Sequence, residues 1–229
     1  MIGSRIESVE QRATTPRAAA IAGILFAILF SLSVVLIRLS LPSLDSGNAA
    51  WVESAGKRVS LALGLMPFAG IAFLWFVGVA RDRLGAFEDQ FFSTVFFGSG
   101  LLFLAMTFAA AAIAGGIVAV YATEGSQALR LGVLVFGRTL MSHIFNVYAL
   151  KMAGVFMLSL GTLWLRTGVM PRLMSFITYV VAIAMLLIVS LNPWIVLTFP
   201  AWVFTVSIYI LVLNYRRKTA KTMDGMTAA

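Results

Sequence analysis

Long apolar runs separated by short polar segments make up most of this chain. A helix that crosses the roughly 30 Å hydrocarbon core of a bilayer needs about 20 mostly apolar residues. Six runs have about this length or more, at residues 17–39, 59–80, 91–120, 144–165, 173–191 and 195–215. The pattern therefore predicts an all-α, polytopic membrane protein, a bundle of six transmembrane helices.

The polar segments are too short to form a separate soluble domain. We expect residues 1–16 to form a cytoplasmic N-terminal segment, residues 17–215 the transmembrane domain, and residues 216–229 a basic, disordered cytoplasmic tail. The first apolar run is longer than the roughly 7–15 residues of a signal-peptide core. We therefore expect it to remain in the protein as a permanent helix.

The distribution of lysine and arginine predicts how the chain is oriented in the membrane. If the N-terminus is cytoplasmic, eleven of the 17 lysine and arginine residues lie in cytoplasmic segments and five lie in outer segments. The remaining one, Lys151, lies within the fourth span. Because cytoplasmic loops carry an excess of these residues, we expect both termini to face the cytoplasm.

One apolar stretch, residues 126–145, does not fit a simple span. Arg138 lies in it, and an arginine at the centre of a bilayer costs roughly 3 kcal/mol on insertion scales. A helical projection places Arg138 and Ser142 on one side, with Leu134 mostly opposite. This pattern predicts an amphipathic helix at the outer interface, before the fourth span. The alternatives are a seventh span, which would place the basic carboxyl tail outside, and a longer span to which the stretch belongs.

Composition narrows the chemistry that the chain can perform. Hydrophobic residues make up 61% of the sequence and charged residues 11%, against about 25% charged in soluble domains. The chain has no cysteine and a single histidine, His143, so we expect no thiolate chemistry, thiol-ligated zinc or three-histidine metal site. The predictions are no cofactor, no metal site and no catalytic centre.

The net charge of +8 does not indicate a nucleic-acid partner. The charges lie at the ends of the apolar runs, as membrane topology requires, and not in a basic stretch interleaved with aromatic residues. The expected partners are the lipid bilayer and other membrane protein subunits or further copies of this chain. Ala112 and Gly116 form a small-xxx-small pair of the kind that lets helices approach closely.

The fourth span is the most polar one and carries the candidate residues for ligand binding or conduction. Lys151 lies in it, His143 and Asn146 lie at its outer end, and Arg138 lies just before it. Ionisable groups inside a membrane are costly, which makes them functional candidates. No carboxylate falls within any predicted span, so we expect the Lys151 ammonium to reach outer water or to meet an anionic ligand.

Pro67 interrupts the second span between Gly64 and Gly70. Proline has no N–H group, which leaves the carbonyl of Leu63 without its helical partner, and its ring kinks the helix. A kink can build a binding site from freed backbone groups. Proline and glycine also serve helix packing alone, and packing is the expected role of Pro67.

Part of the chain resembles uncharacterised bacterial multi-pass membrane proteins. The stretches that carry the resemblance are residues 146–153 (NVYALKMA) and 166–171 (RTGVMP), and the likeness extends through the sixth predicted span. It covers roughly half of the chain. The resemblance implies a location in the bacterial cytoplasmic membrane and implies no activity.

Three functions of different classes fit these patterns. The leading hypothesis is a non-catalytic structural, accessory or regulatory subunit of a membrane assembly. The alternative is a small channel or carrier for an anionic or amphipathic molecule, which would use the polar outer half of the fourth helix. An intramembrane enzyme comes third, because residues 98–100 (GSG) with His143 match intramembrane serine proteases poorly.

Overall fold

A computed structural model describes residues 3–40, 51–84, 90–124, 132–187 and 193–227, and these residues are almost entirely helical. A π-helical turn, Ile144–Ala149, joins α4 to α5, and a 3-10 turn, Pro193–Leu197, precedes α7. The described part of the chain contains no strand, so the all-α prediction is confirmed. The helices are α1 (Gly3–Ser40), α2 (Trp51–Leu84), α3 (Gln90–Glu124), α4 (Val133–His143), α5 (Leu150–Thr167), α6 (Arg172–Leu187) and α7 (Thr198–Thr227).

Five helical stretches are long and apolar enough to cross a bilayer. The remaining predicted span corresponds to α6, which is apolar but has 16 described residues, and residues 188–192 lie outside the described part. The helices indicate a membrane environment, while the count of six stays a prediction. The five stretches are Ala18–Ser40, Gly56–Arg81, Phe91–Val120, Val135–Thr167 and Trp194–Tyr215.

Both ends of the chain extend their helices beyond the predicted spans. α1 begins at Gly3, within the predicted N-terminal segment, and α7 continues to Thr227, through most of the tail for which we expected disorder. The tail contains lysine, arginine, alanine and methionine, which are good helix formers. Their propensity favours continuation of the helix past the apolar run.

The stretch predicted as an interfacial helix is continuous with the fourth span. Gly132 precedes α4 in a left-handed conformation, with φ of 68°, and its carbonyl accepts a hydrogen bond of 2.9 Å from the N–H of Phe136. From there the chain runs through the π-helical turn into α5 without a break. α4 also packs along α3, where a Cβ added to Gly137 would lie 3.0 Å from Ile117. A separate helix at the interface is therefore not confirmed.

The polar side of α4 faces protein, and its apolar side is exposed. Arg138 and Ser142 are partly buried, and Asn146 in the following turn is only 9% exposed. By contrast, Phe136 is 69% exposed and Val135 is also exposed. This orientation is the reverse of that expected for a helix whose polar side faces water. It suits a helix with lipid on one side and a polar partner within the bundle on the other.

The helices give the bundle two distinct ends. Near the end of α1, Arg38 bonds to Asn146 of the π-helical turn. At the opposite end, Arg81 of α2 lies over the ring of Phe97, 5.2 Å from its centroid, and Arg166 of α5 makes a similar contact with α3. We call these the Arg38 end and the Arg81 end.

A layer of five phenylalanine rings fills the centre of the bundle. Each of its rings comes from a different one of the five long helical stretches, and each side chain is at most 1% exposed. Neighbouring ring centroids are 4.7–6.3 Å apart, the range in which aromatic pairs attract each other. The members of this phenylalanine layer are Phe26 (α1), Phe73 (α2), Phe103 (α3), Phe156 (α5) and Phe199 (α7).

Polar contacts attach α6 to its neighbours on the Arg81 side of this layer. The indole N–H of Trp202 on α7 donates a 3.0 Å hydrogen bond to the hydroxyl of Thr178 on α6. The hydroxyls of Thr162 on α5 and Tyr179 on α6 lie 2.6 Å apart. Because α6 lacks a phenylalanine in the central layer, these hydrogen bonds and close packing around Gly154 hold it in place.

Replacing a ring of the layer should destabilise the protein far more than replacing a ring on the outside. We expect Phe73→Ala to cost about 3 kcal/mol of unfolding free energy, the low end for buried phenylalanines, because lipid and not water is the competing solvent. The matched control is Phe68→Ala on the same helix, at a side chain 62% exposed. Melting in mild detergent should separate the two variants, and equal losses would contradict the role of the layer.

Candidate functional site

A short hydrogen-bond chain links α1 to the π-helical turn at the Arg38 end. Nη2 of Arg38 donates to Oδ1 of Asn146 at 2.7 Å, and Nδ2 of Asn146 donates to Oγ of Ser142 at 2.9 Å. The first of these bonds joins residues 108 positions apart in the sequence. A hydrogen bond from a charged donor contributes roughly 1.5–3 kcal/mol. The contact therefore fixes the position of the Arg38 guanidinium as well as that of the two helices.

The π-helical turn is what presents Asn146 to α1. Turns of this kind occur mostly as short insertions in α-helices and are frequent at functional sites. Here the turn buries Phe145, Asn146 and Ala149, so an amide lies among apolar neighbours. A buried amide is stable only when its polar atoms are hydrogen-bonded, and Arg38 and Ser142 supply those bonds.

Arg38 borders an apolar cavity of about 20 Å³. Apolar walls lower the local dielectric constant and strengthen any electrostatic interaction made there. Arg138 lies on α4 one helical turn before Ser142, on the same side of the helix, and its positive charge opposes that of Arg38. We call Arg38, Arg138, Ser142 and Asn146 the Arg38 site. The other side chains that line the cavity are Val34, Ile37, Ala110, Ala111, Met141 and Phe145.

The structure brings two of the four predicted site residues together. Arg138 and Asn146 belong to the Arg38 site, but His143 is exposed and its Nδ1–H donates to the carbonyl of Thr139 at 2.9 Å. Lys151 is partly buried and forms no hydrogen bond or ion pair with the described residues. Counted from Arg166, it lies about 22 Å along the helix. Lys151 and His143 therefore take no part in the cluster.

Arg38 is the member of the site that sequence reasoning missed. It lies at the end of the apolar run 17–39, and a basic residue at such a position is ordinary in membrane helices. Its partner lies on a distant helix, and no local pattern connects the two. One feature could have indicated a partner for Arg38, because this residue falls within the last turn of the apolar helix and not beyond it.

Pro67 lies apart from this cluster. α2 is continuous through Pro67, whose side chain is exposed on the outer surface. One turn on, a Cβ added to Gly70 would collide with the ring of Phe108, so α2 and α3 are closely packed there. These features suit a packing role, and the role of Pro67 stays a prediction.

Two further cavities are apolar and do not involve Lys151. A groove of about 440 Å³ lies between α1 and α2, lined among others by Leu25, Phe68 and Trp75. A smaller cavity of about 60 Å³ at the Arg81 end is lined by Trp164, Met170 and other apolar side chains. Their chemistry suits hydrocarbon, and neither contains a charged residue.

Within the described residues, the candidate site is a basic cluster, the Arg38 site. Among the described residues, no group of three or more histidine, cysteine, aspartate or glutamate side chains could hold a metal ion. No protein-family model, curated protein or solved structure matches this chain. The resemblance to uncharacterised bacterial multi-pass membrane proteins stays a prediction.

The removal of charge at position 151 should be tolerated, in contrast with the loss of the Asn146 amide. Lys151→Met keeps most of the stem volume, and we expect an unchanged or slightly higher melting temperature in detergent. Asn146→Leu on the same continuous helix leaves Arg38 without its acceptor and should cost about 1–3 kcal/mol. A loss of folding in Lys151→Met would contradict this account and would mean that the ammonium has an essential partner.

Proposed function

We propose that this protein is a non-catalytic subunit of a membrane assembly, with a structural, accessory or regulatory role in the bacterial cytoplasmic membrane. The observation that carries the proposal is the phenylalanine layer. Five rings from five helices meet without solvent exposure between the Arg38 end and the Arg81 end. A path for ions or polar molecules needs polar groups or water along its length, and this packing supports a bundle closed at its centre.

The outer face of α3 supports association with other membrane proteins or with further copies of this chain. Ala105, Ala109, Ala112 and Gly116 follow one another at helical spacing and are exposed or partly exposed. A Cβ added at Gly116 would meet nothing within 4 Å. Small residues on a lipid-facing helix let a second helix approach closely, which suits the small-xxx-small pair predicted from the sequence.

Six crossings with both termini in the cytoplasm form part of this proposal. α5 ends near Arg166 at the Arg81 end, whereas Pro193–Leu197 packs against the π-helical turn at the Arg38 end. A crossing by α6 would connect these two ends, which supports a sixth span. The lysine and arginine excess then favours an outer location for the Arg38 end.

The Arg38 site favours a second candidate, a carrier for an anionic or amphipathic molecule. Two arginines near each other at one end of the bundle would attract an anion. Transport would require the phenylalanine layer to open, because the site lies on one side of it. The two candidates therefore differ in whether the purified protein moves anions across a bilayer.

Flux measurements on reconstituted protein test the proposal. We expect proteoliposomes to release chloride and phosphate no faster than protein-free vesicles, with a known anion ionophore as the positive control. The carrier would instead show saturable anion flux that Arg38→Gln reduces and that Arg58→Gln, an exposed arginine on α2, leaves unchanged. That second pattern would overturn the proposal of a non-transporting subunit.

A further inference from the structure

The Arg38 site has the chemistry of a binding site for an oxyanion of the phosphate type. We propose that Arg38 and Arg138 together bind one phosphate group, with Asn146 as the residue that positions Arg38. The inference goes beyond the accessory role, since a subunit and a carrier could both use such a site. Free phosphate and the headgroup of an anionic phospholipid both supply such a phosphate group.

Arg38 presents more hydrogen-bond donors than the other described residues use. A guanidinium has five N–H donors in a rigid fork that matches the oxygens of a phosphate. Within the described part of the chain, Arg38 makes one side-chain hydrogen bond, to the neutral amide of Asn146. That bond fixes the direction of the fork but does not neutralise its charge. The remaining donors can therefore bind an anion.

Arg138 lies on the same side of the helix as the hydrogen-bond chain that reaches Arg38. It is one helical turn before Ser142, Ser142 bonds to Asn146, and Asn146 bonds to Arg38. The positive charge of Arg138 opposes that of Arg38. A single anion between two like charges would turn the repulsion into two attractions. Arg138 has another interaction of its own. Its part in anion binding requires only that its charge lies near Arg38.

The site lies near one end of a helix that is longer than the hydrocarbon core is thick. Counted from Arg166 at the Arg81 end, Arg138 lies about 42 Å along the helix, beyond the roughly 30 Å of hydrocarbon. That distance corresponds to the headgroup region, where phospholipid phosphates lie. Beside it, Phe136 and Leu140 are exposed on the apolar side of α4, where a lipid can contact them.

The simpler explanation is that Arg38 only ties α1 to the π-helical turn. Asn146→Asp separates the two explanations, because a carboxylate would keep the link to Arg38 as an ion pair while neutralising its charge. If Arg38 binds phosphate, this variant should retain its melting temperature and lose the anion. If Arg38 is only a structural contact, the wild-type protein should bind no anion at this position.

The test is native mass spectrometry of the purified full chain, titrated in separate arms with short-chain phosphatidylglycerol, inorganic phosphate and zwitterionic phosphatidylcholine. We expect one bound phosphate group on the wild type and on the control Arg58→Gln. Arg38→Gln should weaken this binding about tenfold or more, which corresponds to the loss of one charged hydrogen-bonding partner. Arg138→Gln should weaken it in the same direction.

The titrations with phosphatidylglycerol and inorganic phosphate identify the source of the bound phosphate. The titration with phosphatidylcholine and the variants test whether the site exists. Phosphatidylglycerol binding without binding of inorganic phosphate identifies a lipid headgroup, and the converse identifies free phosphate. Equal binding of phosphatidylglycerol and phosphatidylcholine, or binding that survives in both Arg38→Gln and Asn146→Asp, would overturn the site. Flux through proteoliposomes is a separate measurement, so the failure of either proposal leaves the other open to its own test.

Discussion

The meeting of five phenylalanine rings at the centre of the bundle is the interaction on which the rest of the structure depends. In a bilayer, apolar side chains gain little by leaving lipid, so helices associate through close packing and specific polar contacts. Phe26, Phe73, Phe103, Phe156 and Phe199 supply that packing with one ring per helix. Each ring contacts rings from at least two other helices, and so the layer holds five helices at once.

The closed centre explains why polar chemistry is found at one end. Arg38 and Asn146 lie beyond the rings, where α1 meets the π-helical turn, and their hydrogen bond offsets the cost of burying both groups. The same contact accounts for the orientation of α4. With Arg138 and Ser142 partly buried against the protein, the apolar residues of α4 are left to face lipid. The layer and the Arg38 site are thus linked through the position of one continuous helix, residues 133–167.

The sequence predicts much of the fold and only part of the candidate site. The first apolar run, residues 17–39, agrees with Ala18–Ser40 within one residue at each end, and the third agrees fully with Phe91–Val120. Apolar runs predict the lengths of the membrane-crossing stretches, because the thickness of a bilayer sets them, but not the ends of the helices, since α1 begins at Gly3 and α7 continues to Thr227. The partnership of Arg38 with Asn146 spans 108 residues and depends on how α1 packs. The orientation of α4 also escaped prediction, since periodicity shows that two sides differ but not whether protein, lipid or water covers each one.

The most direct test of this account is the access of water to the centre of the bundle. The native chain has no cysteine, so single substitutions can be labelled without interference. Ser99→Cys and Thr107→Cys lie one turn to either side of Phe103 and are buried, whereas Ser142→Cys lies at the Arg38 site. With a membrane-impermeant thiol reagent on both sides of the membrane, we expect labelling at position 142 and none at positions 99 and 107. Rapid labelling at position 99 or 107 would show that water reaches the centre, and it would contradict the closed phenylalanine layer.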